Sequence, residues 1–551
     1  MGLADPAGPR SDAAPSTGVK DVPAAEIDKI FARWDKPDSP GVVIAVIHNG
    51  QIIYQRGYGM ADLEHDVPLS PESVFYIAST SKQFTAASIA ILARQGKISL
   101  DDDVRKHIAE LPDYGTPITI RQLVHHTSGL RDYLSLVAIA GGTTYDFSLD
   151  DAVRLIVRQK ELSFVPGEEY SYSNSGYALL AEIVQRASGK SLRAFADEHI
   201  FRPLDMRHSV FRDDHTMIIK QRAVGHAATA QGFRTDDPGI ESVGSGNLWT
   251  TVGDLLLWDR NFYDNRLGDG FVDQLLETGK LAGGKPLDYA FGLTIDDYRG
   301  LRRVSHGGAF AGFRTEMARF PEARFSVICL ANLSSVEPTA LAMQVADLYL
   351  ADRLAPQGAA AEKLAEVTLP DDALALLAGN YRDPRDGTLW TFEPVGGTLK
   401  LARFFPWGVK LRALDALKFR GSGPFEALQF EFAASSEGGP RQLRLSLGDS
   451  QPRVLAAVAL AAPNADELAQ YAGSYYSDEV EATYNIVLEN GTLRLAGPRA
   501  ARQNLQPSVR DEFVAPEGAL VFERDANNAI AGFRLNTPRV RRLHFVRRSG
   551  S

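Results

Sequence analysis

The chain has 551 residues, of which 44% are hydrophobic and 23% are charged, and its formal net charge is −10. This length predicts two to four domains, and the composition is that of a globular protein. The pI of about 5.7 and the lack of a dense lysine and arginine stripe in the sequence argue against a nucleic-acid partner. A single cysteine, Cys329, excludes an intrachain disulfide.

Residues 1–24 are rich in alanine, proline, glycine and aspartate and almost lack large apolar side chains. This composition predicts a disordered leader without the apolar core of a secretory signal. No segment of the sequence is long and apolar enough to predict a membrane span. A chain trimmed of a native signal would begin in the same way, so the location stays open, with the cytoplasm favoured over the periplasm.

The next segments predict a hairpin and then a helix. Two strand-like runs within residues 41–59 flank Asn49-Gly50, a pair typical of tight hairpin turns. Apolar residues then recur at three- and four-residue spacing from Ser79 until Gly96, which predicts an amphipathic helix.

Helical patterns dominate from about residue 100 to residue 260, and strand-like runs return between 290 and 333. A last helix carries Pro338 near its first turn. A sheet built from both ends of this segment, with helices between them, predicts an α+β domain over residues 25–354.

The remainder of the chain contains a repeat. After a predicted linker at 355–369, LALLAGNY at 374–381 matches LAQYAGSY at 468–475, and GTLKLA at 397–402 matches GTLRLA at 491–496. Both matches are offset by 94 residues (468 − 374 and 491 − 397), which indicates a tandem duplication. The short alternating runs predict two similar antiparallel β-barrel domains, at 370–462 and 463–551.

Ser79-x-x-Lys82 is the only serine and lysine pair at this spacing in the chain. Residues three apart share a helix face, so the Lys82 amine can reach the Ser79 hydroxyl. The unpaired N–H groups of a helix start can stabilise an oxyanion, and a lysine kept neutral by burial can accept the serine proton. The alternative is that Ser79 only caps the helix.

Two further motifs follow in chain order. Tyr172-Ser173-Asn174 lies between a Pro-Gly turn and a helical pattern, where a phenol and an amide can face one cleft. Tyr263-Asp264-Asn265 has the same spacing but is predicted to be polar surface near a helix end.

His306-Gly307-Gly308 lies in a strand-like run. Two glycines weaken a strand unless something, such as a substrate, approaches its backbone closely. His48-Asn49-Gly50 also fits this pattern, but it is predicted to be the hairpin turn.

In order, these three motifs resemble those of the penicillin-recognising serine hydrolases, which include class C β-lactamases, D,D-peptidases, D-aminopeptidases and related esterases. The strings LVHHTSGLRDY at 123–133 and PGEEYSYSN at 166–174 look like signatures of the class C-like branch. The resemblance covers residues 25–352. A domain of this type followed by two related barrels is similar to the architecture of bacterial D-aminopeptidases.

The resemblance implies acyl transfer through a serine ester and assigns roles by motif position. It gives Ser79, Lys82 and Tyr172 as catalytic, and the N–H groups of Ser79 and Ala309 as the oxyanion hole. Substrate binding falls to Asn174, His306, Gly307 and Gly308. It implies no metal and no cofactor, and we find no ligand cluster of metal spacing in the sequence.

Substrate class is predicted from the third motif. The β-lactamases and carboxypeptidases of the superfamily usually have Lys-Thr-Gly where this chain has His306-Gly307-Gly308. A histidine is mostly neutral at pH 7, so it favours substrates that present no carboxylate there. The prediction is therefore an aminopeptidase or amidase acting on D-amino-acid amides or short D-residue peptides, with a small molecule or short peptide as partner and a homodimer as a possibility.

Several alternatives stay open at this point. The enzyme alternatives are a carboxylesterase with a similar site, a D,D-peptidase and a weak β-lactamase. The alternatives without catalysis are a penicillin-binding or peptide-sensing module, and barrels that carry lipid or peptide cargo. In D-aminopeptidases the third domain sends a loop toward the active site. The corresponding hairpin here, around Ala515-Pro516-Glu517-Gly518, looks short, which casts doubt on a strict one-residue amino-terminal cut.

Overall fold

The computed structural model describes residues 19–356, 366–402, 408–422, 425, 428–433, 440–447, 452–498, 502–516 and 518–548. Most of the predicted leader, the centre of the predicted linker and Glu517 of the predicted short hairpin lie outside the described residues.

The α+β domain contains the predicted mixture of helices and strands. Its helices are α1 (Ala24–Phe31), α2 (Lys82–Arg94), α3 (Ile120–Val124), α4 (Tyr133–Ile139), α5 (Leu149–Val157), α6 (Asn174–Ser188), α7 (Leu192–Ala196), α8 (Arg202–Leu204), α9 (Val252–Asp264), α10 (Phe271–Leu275) and α11 (Pro338–Tyr349). Short 3₁₀ helices span Ala32–Trp34, Ala78–Ser81, Val104–Lys106 and Pro321–Ala323, and a short π-helix spans Asp197–Phe201. Its strands are β1 (Val42–His48), β2 (Gln51–Tyr58), β3 (Met60–Asp62), β4 (Val67–Pro68), β5 (Phe75–Tyr76), β6 (Val210–Phe211), β7 (His226–Thr229), β8 (Gly232–Thr235), β9 (Leu248–Thr250), β10 (Thr294–Tyr298), β11 (Leu301–Phe310), β12 (Phe313–Phe320) and β13 (Phe325–Ala331).

The central sheet joins the two ends of this domain, as predicted. Its strand order is β10-β11-β12-β13-β1-β2, and every neighbouring pair is antiparallel. The β1–β13 register pairs Val42 with Ala331. The inner strand β1 is buried on both faces: Val42 and Ile44 pack toward α1 and α11, and Val43 and Ala45 belong to the larger core with α2 and α6. Strands covered on both faces have the continuous apolar runs seen in the sequence.

The two predicted barrels are present as nine-stranded antiparallel sheets. The first barrel follows α12 (Asp371–Leu377) and consists of β14 (Gly379–Arg382), β15 (Leu389–Val395), β16 (Thr398–Leu401), β17 (Val409–Lys410), β18 (Arg412–Ala413), β19 (Lys418–Arg420), β20 (Leu428–Ala433), β21 (Gln442–Leu447) and β22 (Arg453–Val458). The second barrel follows α13 (Ala465–Ala469) and consists of β23 (Gly473–Ser477), β24 (Ala482–Glu489), β25 (Thr492–Ala496), β26 (Gln503–Asn504), β27 (Gln506–Pro507), β28 (Glu512–Ala515), β29 (Gly518–Arg524), β30 (Ile530–Asn536) and β31 (Leu543–Arg548).

Equivalent contacts in the two barrels share the 94-residue offset of the sequence repeat. The strand order β17-β16-β15-β14-β22-β21-β20-β19-β18 is matched by β26-β25-β24-β23-β31-β30-β29-β28-β27. Leu411 donates its N–H to the Leu399 carbonyl, and Leu505 donates to that of Leu493, both at 2.8 Å. The duplicated architecture is therefore confirmed, whereas the domain boundaries at 354, 369 and 462 stay predictions.

The second barrel packs directly against the α+β domain. Their apolar residues form one continuous core cluster, and the Tyr484 hydroxyl donates to the Ile139 carbonyl at 2.8 Å. The first barrel meets the second through an ion pair between Arg382 and Glu512. Among the helices in the described part of the chain, none has the length and apolarity needed to cross a membrane.

Candidate active site

Ser79 lies within the 3₁₀ turn Ala78–Ser81, immediately before α2. The Lys82 Nζ donates a hydrogen bond to the Ser79 Oγ at 3.1 Å, as the spacing predicts. Neither the turn nor α2 has a side-chain cap, so the alternative that Ser79 caps the helix is wrong. Ala78, which precedes the serine, is buried and has a φ of 46°, a conformation that costs free energy for a residue with a Cβ.

Lys82 is completely buried behind Ser79. Besides Ser79, its Nζ donates to the Asn174 Oδ1 at 3.0 Å and to the Ser245 carbonyl at 2.6 Å. Burial holds the pKa of Lys82 well below its usual range, the Asp132 carboxylate opposes this shift, and the Arg539 guanidinium adds to it. When Lys82 is neutral, its two N–H groups suffice for Asn174 and Ser245. The contact with Ser79 then runs in the other direction, from the Ser79 O–H to the amine lone pair.

Asn174, the first residue of α6, is oriented by a buried carboxylate that the sequence analysis did not assign. The Asp132 Oδ2 accepts from the Asn174 Nδ2 at 2.8 Å and from its backbone N–H at 2.7 Å. These bonds fix the amide so that its oxygen points at Lys82. Asp132 occurs in the string LVHHTSGLRDY, which is the only sequence signal that marked it.

Tyr172 covers the other side of the serine. It lines the same pocket as Ser79, and its ring centroid lies 4.8 Å from the Lys82 Nζ. Burial raises the pKa of Tyr172, so the phenol stays protonated at neutral pH. The buried His126 packs on this ring, with centroids 4.3 Å apart, and its Nδ1 accepts the Ser173 N–H at 3.1 Å. Sequence analysis gave His126 no role.

The third predicted motif lies on β11 at the opposite wall. The His306 Nδ1 lies 2.6 Å from the Gly307 carbonyl, so this nitrogen carries the proton, and Nε2 accepts from the Tyr289 hydroxyl at 3.0 Å. Burial, with a smaller effect of the Lys82 charge, lowers the pKa of His306 to about 4. The histidine is therefore neutral at pH 7, as the sequence predicts.

Gly308 lets β11 approach the turn that carries Ser79. A Cβ at this position would lie 2.4 Å from both the Ile77 carbonyl oxygen and the Thr315 Oγ1. A close approach to its backbone therefore explains Gly308, as predicted, but the approaching group is the Ile77 backbone before the serine rather than a substrate. The Thr80 hydroxyl adds a bond of 3.2 Å to the His306 carbonyl across the same contact.

All the predicted site residues except the buried Lys82 line one pocket of about 540 Å³. Those residues are Ser79, Tyr172, Asn174, His306, Gly307, Gly308 and Ala309. The two other matches to the motif patterns lie outside this pocket. His48-Asn49-Gly50 lies at the β1–β2 turn, and Asn265 of Tyr263-Asp264-Asn265 ends α9. Ser79 and Ala309 both line the pocket, and the assignment of their N–H groups to the oxyanion hole stays a prediction.

A loop of the second barrel also reaches this pocket. β28 and β29 pair up to Ala515 and Gly518, whereas the loop 537–542 between β30 and β31 places Arg539 in the pocket wall. The Arg539 guanidinium lies 5.3 Å from the Tyr172 ring centroid. No local pattern in the sequence marked this residue.

Two histidine and carboxylate groups outside the pocket correct the expectation that no residues cluster at metal spacing. Ligand atoms lie within 4.8 Å of one another in the groups Asp62, Glu64, His65 and Asp146, His215, Glu241. In each group the histidine Nδ1 lies against a carboxylate, at 2.8 Å in the first and 2.6 Å in the second. Ion pairing accounts for both arrangements.

The fold and the pocket together define an enzyme of the serine hydrolase class. A family model described as Beta-lactamase matches residues 27–350, which is more than half of the chain. The chain therefore belongs to the Beta-lactamase family, and the predicted resemblance is confirmed.

Relatives match over almost the whole length. A D-aminopeptidase of Brucella canis is 28% identical over 513 residues, which cover 90% of this chain and 93% of the relative. A D-aminopeptidase of Cereibacter sphaeroides is 29% identical over 530 residues, covering 92% and 96%. The octameric penicillin-binding protein homologue from Pyrococcus abyssi is similar in structure, with a TM-score of 0.54, 23% identity, and coverage of 78% of this chain and 98% of that one. This last likeness shows the fold alone.

Proposed function

We propose that the chain hydrolyses the amide bond of D-amino-acid amides or short D-residue peptides through an acyl-enzyme on Ser79. The observation that carries this proposal is the buried Lys82 amine, 3.1 Å from the Ser79 Oγ and with a lowered pKa. The names of the full-length relatives support the choice of D-amino-acid substrates.

In the acylation step, the Ser79 Oγ attacks the substrate carbonyl carbon. The serine proton moves to the neutral Lys82, a new C–O bond forms, and the carbonyl electrons move onto its oxygen. Backbone N–H groups of Ser79 and Ala309 stabilise this oxyanion. When the tetrahedral intermediate collapses, the C–N bond breaks and the leaving amine takes a proton through the Tyr172 hydroxyl.

The opposed pKa shifts support separate roles for Lys82 and Tyr172. The lysine pKa is lowered and the tyrosine pKa is raised, both by burial. Lys82 is therefore the base, and the neutral phenol passes a proton between Lys82 and the leaving group. In deacylation a water molecule loses its proton to the same pair, its oxygen attacks the ester carbon, and the Ser79 Oγ leaves with a proton. The net reaction consumes one water and gives a carboxylic acid and an amine.

Asn174 has two roles in this proposal. Its Oδ1 accepts from Lys82, and its amide faces the pocket beside the substrate. Asp132 is a positioning residue, since it acts only through Asn174 and the field at Lys82. His306 lines the leaving-group side as a neutral, hydrogen-bonded ring.

A substrate panel tests the proposal. The p-nitroanilides of D-alanine and L-alanine are compared with p-nitrophenyl esters, using wild type, Ser79→Ala and Lys82→Ala. We expect turnover of the D-anilide in wild type, little of the L-anilide, and losses of at least about a thousandfold in both variants.

A fluorophosphonate probe provides a second readout, because mass spectrometry locates its adduct. We expect the adduct on Ser79 in wild type and none in Ser79→Ala. Ester turnover without anilide turnover would refute the amidase and leave a carboxylesterase, which the neutral His306 also suits. Correctly folded protein with no adduct would refute the acyl-enzyme.

A further inference from the structure

Arg539 is a charged residue in the wall of the Ser79 pocket. Among the residues that the structure describes, three charged ones line the pocket: Arg314, Glu337 and Arg539. The Arg314 guanidinium donates to two backbone carbonyls of its own turn, at 2.8 and 2.7 Å, and attracts Glu337. Arg314 and Glu337 have opposite signs, so Arg539 gives this set of three residues a net positive charge.

Within the described part of the chain, no carboxylate or acceptor pairs with the Arg539 guanidinium, whose one described contact is the Tyr172 ring. Neighbouring arginines in the same loop do have carboxylate partners. Arg541 pairs with Glu169 at 3.0 Å, and Arg542 lies 4.0 Å from Glu161. The carboxylate of Asp132, behind the pocket wall, is occupied by the N–H groups of Asn174. Arg539 therefore presents an unpaired, strongly hydrogen-bonding cation to the pocket.

The α+β domain holds this loop in place. The Arg539 carbonyl accepts the Asp132 N–H at 3.1 Å. The buried Arg131 donates to the carbonyls of Arg541 and Arg542, both at 2.8 Å. Val540 between them is completely buried. With its backbone fixed on both sides, Arg539 has a defined position beside Tyr172, and only its side chain is free to adjust.

The position of Arg539 indicates which part of a substrate it meets. This step rests on the proposed function, in which the Tyr172 hydroxyl protonates the leaving amine. The leaving group then lies against Tyr172, whose ring the guanidinium covers. When the leaving group is one amino acid, its carboxylate is attached to the carbon next to that amine. We propose that Arg539 binds this carboxylate, so that the enzyme favours dipeptides with a free carboxyl end over the corresponding amides.

This subsite changes the argument made from the third motif. The neutral His306 favours substrates without a carboxylate, because the lysine of related enzymes is missing there. Arg539 supplies a permanent cation from a different domain, about 230 residues further along the chain (539 − 306 = 233). Zwitterionic dipeptides then fit the pocket, whereas simple amino-acid amides lack the group that Arg539 recognises.

The test compares D-alanyl-glycine with D-alanyl-glycinamide, which share the scissile bond and differ only in the terminal carboxylate. We expect wild type to favour the acid by about ten- to a hundredfold in kcat/KM, mainly through KM, as for a hydrogen bond to a charged group. Arg539→Gln should bring the ratio close to one, and Arg539→Lys should keep part of it. Arg510→Gln is the matched control, because Arg510 is exposed on the same barrel and its substitution also removes one positive charge.

The ratio separates recognition from a general loss of activity. The Arg539 charge lowers the pKa of Lys82, so its removal moves the acid limb of the rate profile to higher pH for both dipeptides alike. Equal rates for acid and amide in wild type, or an unchanged ratio in Arg539→Gln, would overturn the proposal.

A binding measurement keeps this test independent of turnover. Calorimetry with the Ser79→Ala protein measures affinity for each dipeptide without any chemistry. Tighter binding of the acid by Ser79→Ala, lost in Ser79→Ala/Arg539→Gln, supports the subsite. This holds even if the enzyme cleaves no amide bond, because that result would refute only the proposed function. Equal affinity for acid and amide would refute the subsite.

Discussion

Neutralising Glu479 should lower the free energy of unfolding, because Glu479 of the second barrel pairs with the buried Arg131 of the α+β domain. The Arg131 side chain is 0% exposed and that of Glu479 is 2% exposed, and their charged atoms lie 2.6 Å apart. The Glu479 Oε2 also accepts the Lys160 N–H at 2.7 Å. Glu479→Gln leaves the Arg131 charge buried without a counter-ion. The hydrogen bonds that Arg131 donates to the Gln159 amide oxygen and to two carbonyls of the 537–542 loop persist.

Breaking a buried pair on one side costs about 3–5 kcal/mol, and the persisting bonds favour the lower end, about 3 kcal/mol. The neighbouring residue supplies a matched control. Asp478 pairs with Lys160, but these side chains are 61% and 64% exposed, so Asp478→Asn should cost at most about 1 kcal/mol. Both variants remove one negative charge from the same turn, so they differ mainly in burial.

Urea unfolding followed by intrinsic fluorescence measures the difference. With a slope of about 3 kcal/mol per M, Glu479→Gln should lower the midpoint of the transition by about 1 M, and Asp478→Asn by a third of that or less. Glu479→Gln should also reduce kcat/KM, because Arg131 holds the loop that carries Arg539. Equal midpoints for the two variants would refute the assigned role of the buried pair.

Three other outcomes follow from the site. Asp132→Asn should lower kcat about 10- to 100-fold through Asn174, and the acid limb of kcat/KM should move to lower pH, because the lost carboxylate had raised the pKa of Lys82. Gly308→Ala should abolish activity, whereas Gly283→Ala, which meets nothing within 4 Å, should not. Between pH 6.5 and about 4, unfolding should become easier as pH falls, by up to about 1.4 kcal/mol per pH unit for each buried histidine, because the unfolded chain binds protons that the native rings exclude. The histidines of this window are His125 and His306, whose pKa burial lowers to about 4, and burial also lowers the pKa of His126.

Local spacing made part of this structure predictable. The Ser79 to Lys82 contact follows from one helical turn, and the β1–β2 hairpin follows from Asn49-Gly50. The duplicated barrels followed from strings that recur 94 residues apart, and each copy has the same strand order. In these cases the interacting residues lie close in the sequence or repeat at a fixed distance, so a pattern can record them.

Other features had only a partial signal. Tyr172, Asn174 and His306 were found through ordered motifs, and the structure brings them to one pocket with Ser79. Asp132 was in a recognised string but had no role, because its function depends on which amide it faces across 42 residues. A sequence can show that such a carboxylate is present, but only packing decides its partner.

The sequence by itself determined the α+β domain, the paired barrels and the serine with its lysine, since these depend on periodicity and short spacing. Only the tertiary structure decided that Lys82 is buried, and that the 537–542 loop reaches the pocket. It also placed Arg539 beside Tyr172, across more than 360 residues (539 − 172 = 367). Contacts between surfaces of separate domains leave no local period in the chain, so the charge that faces the substrate was visible only after the domains were packed together.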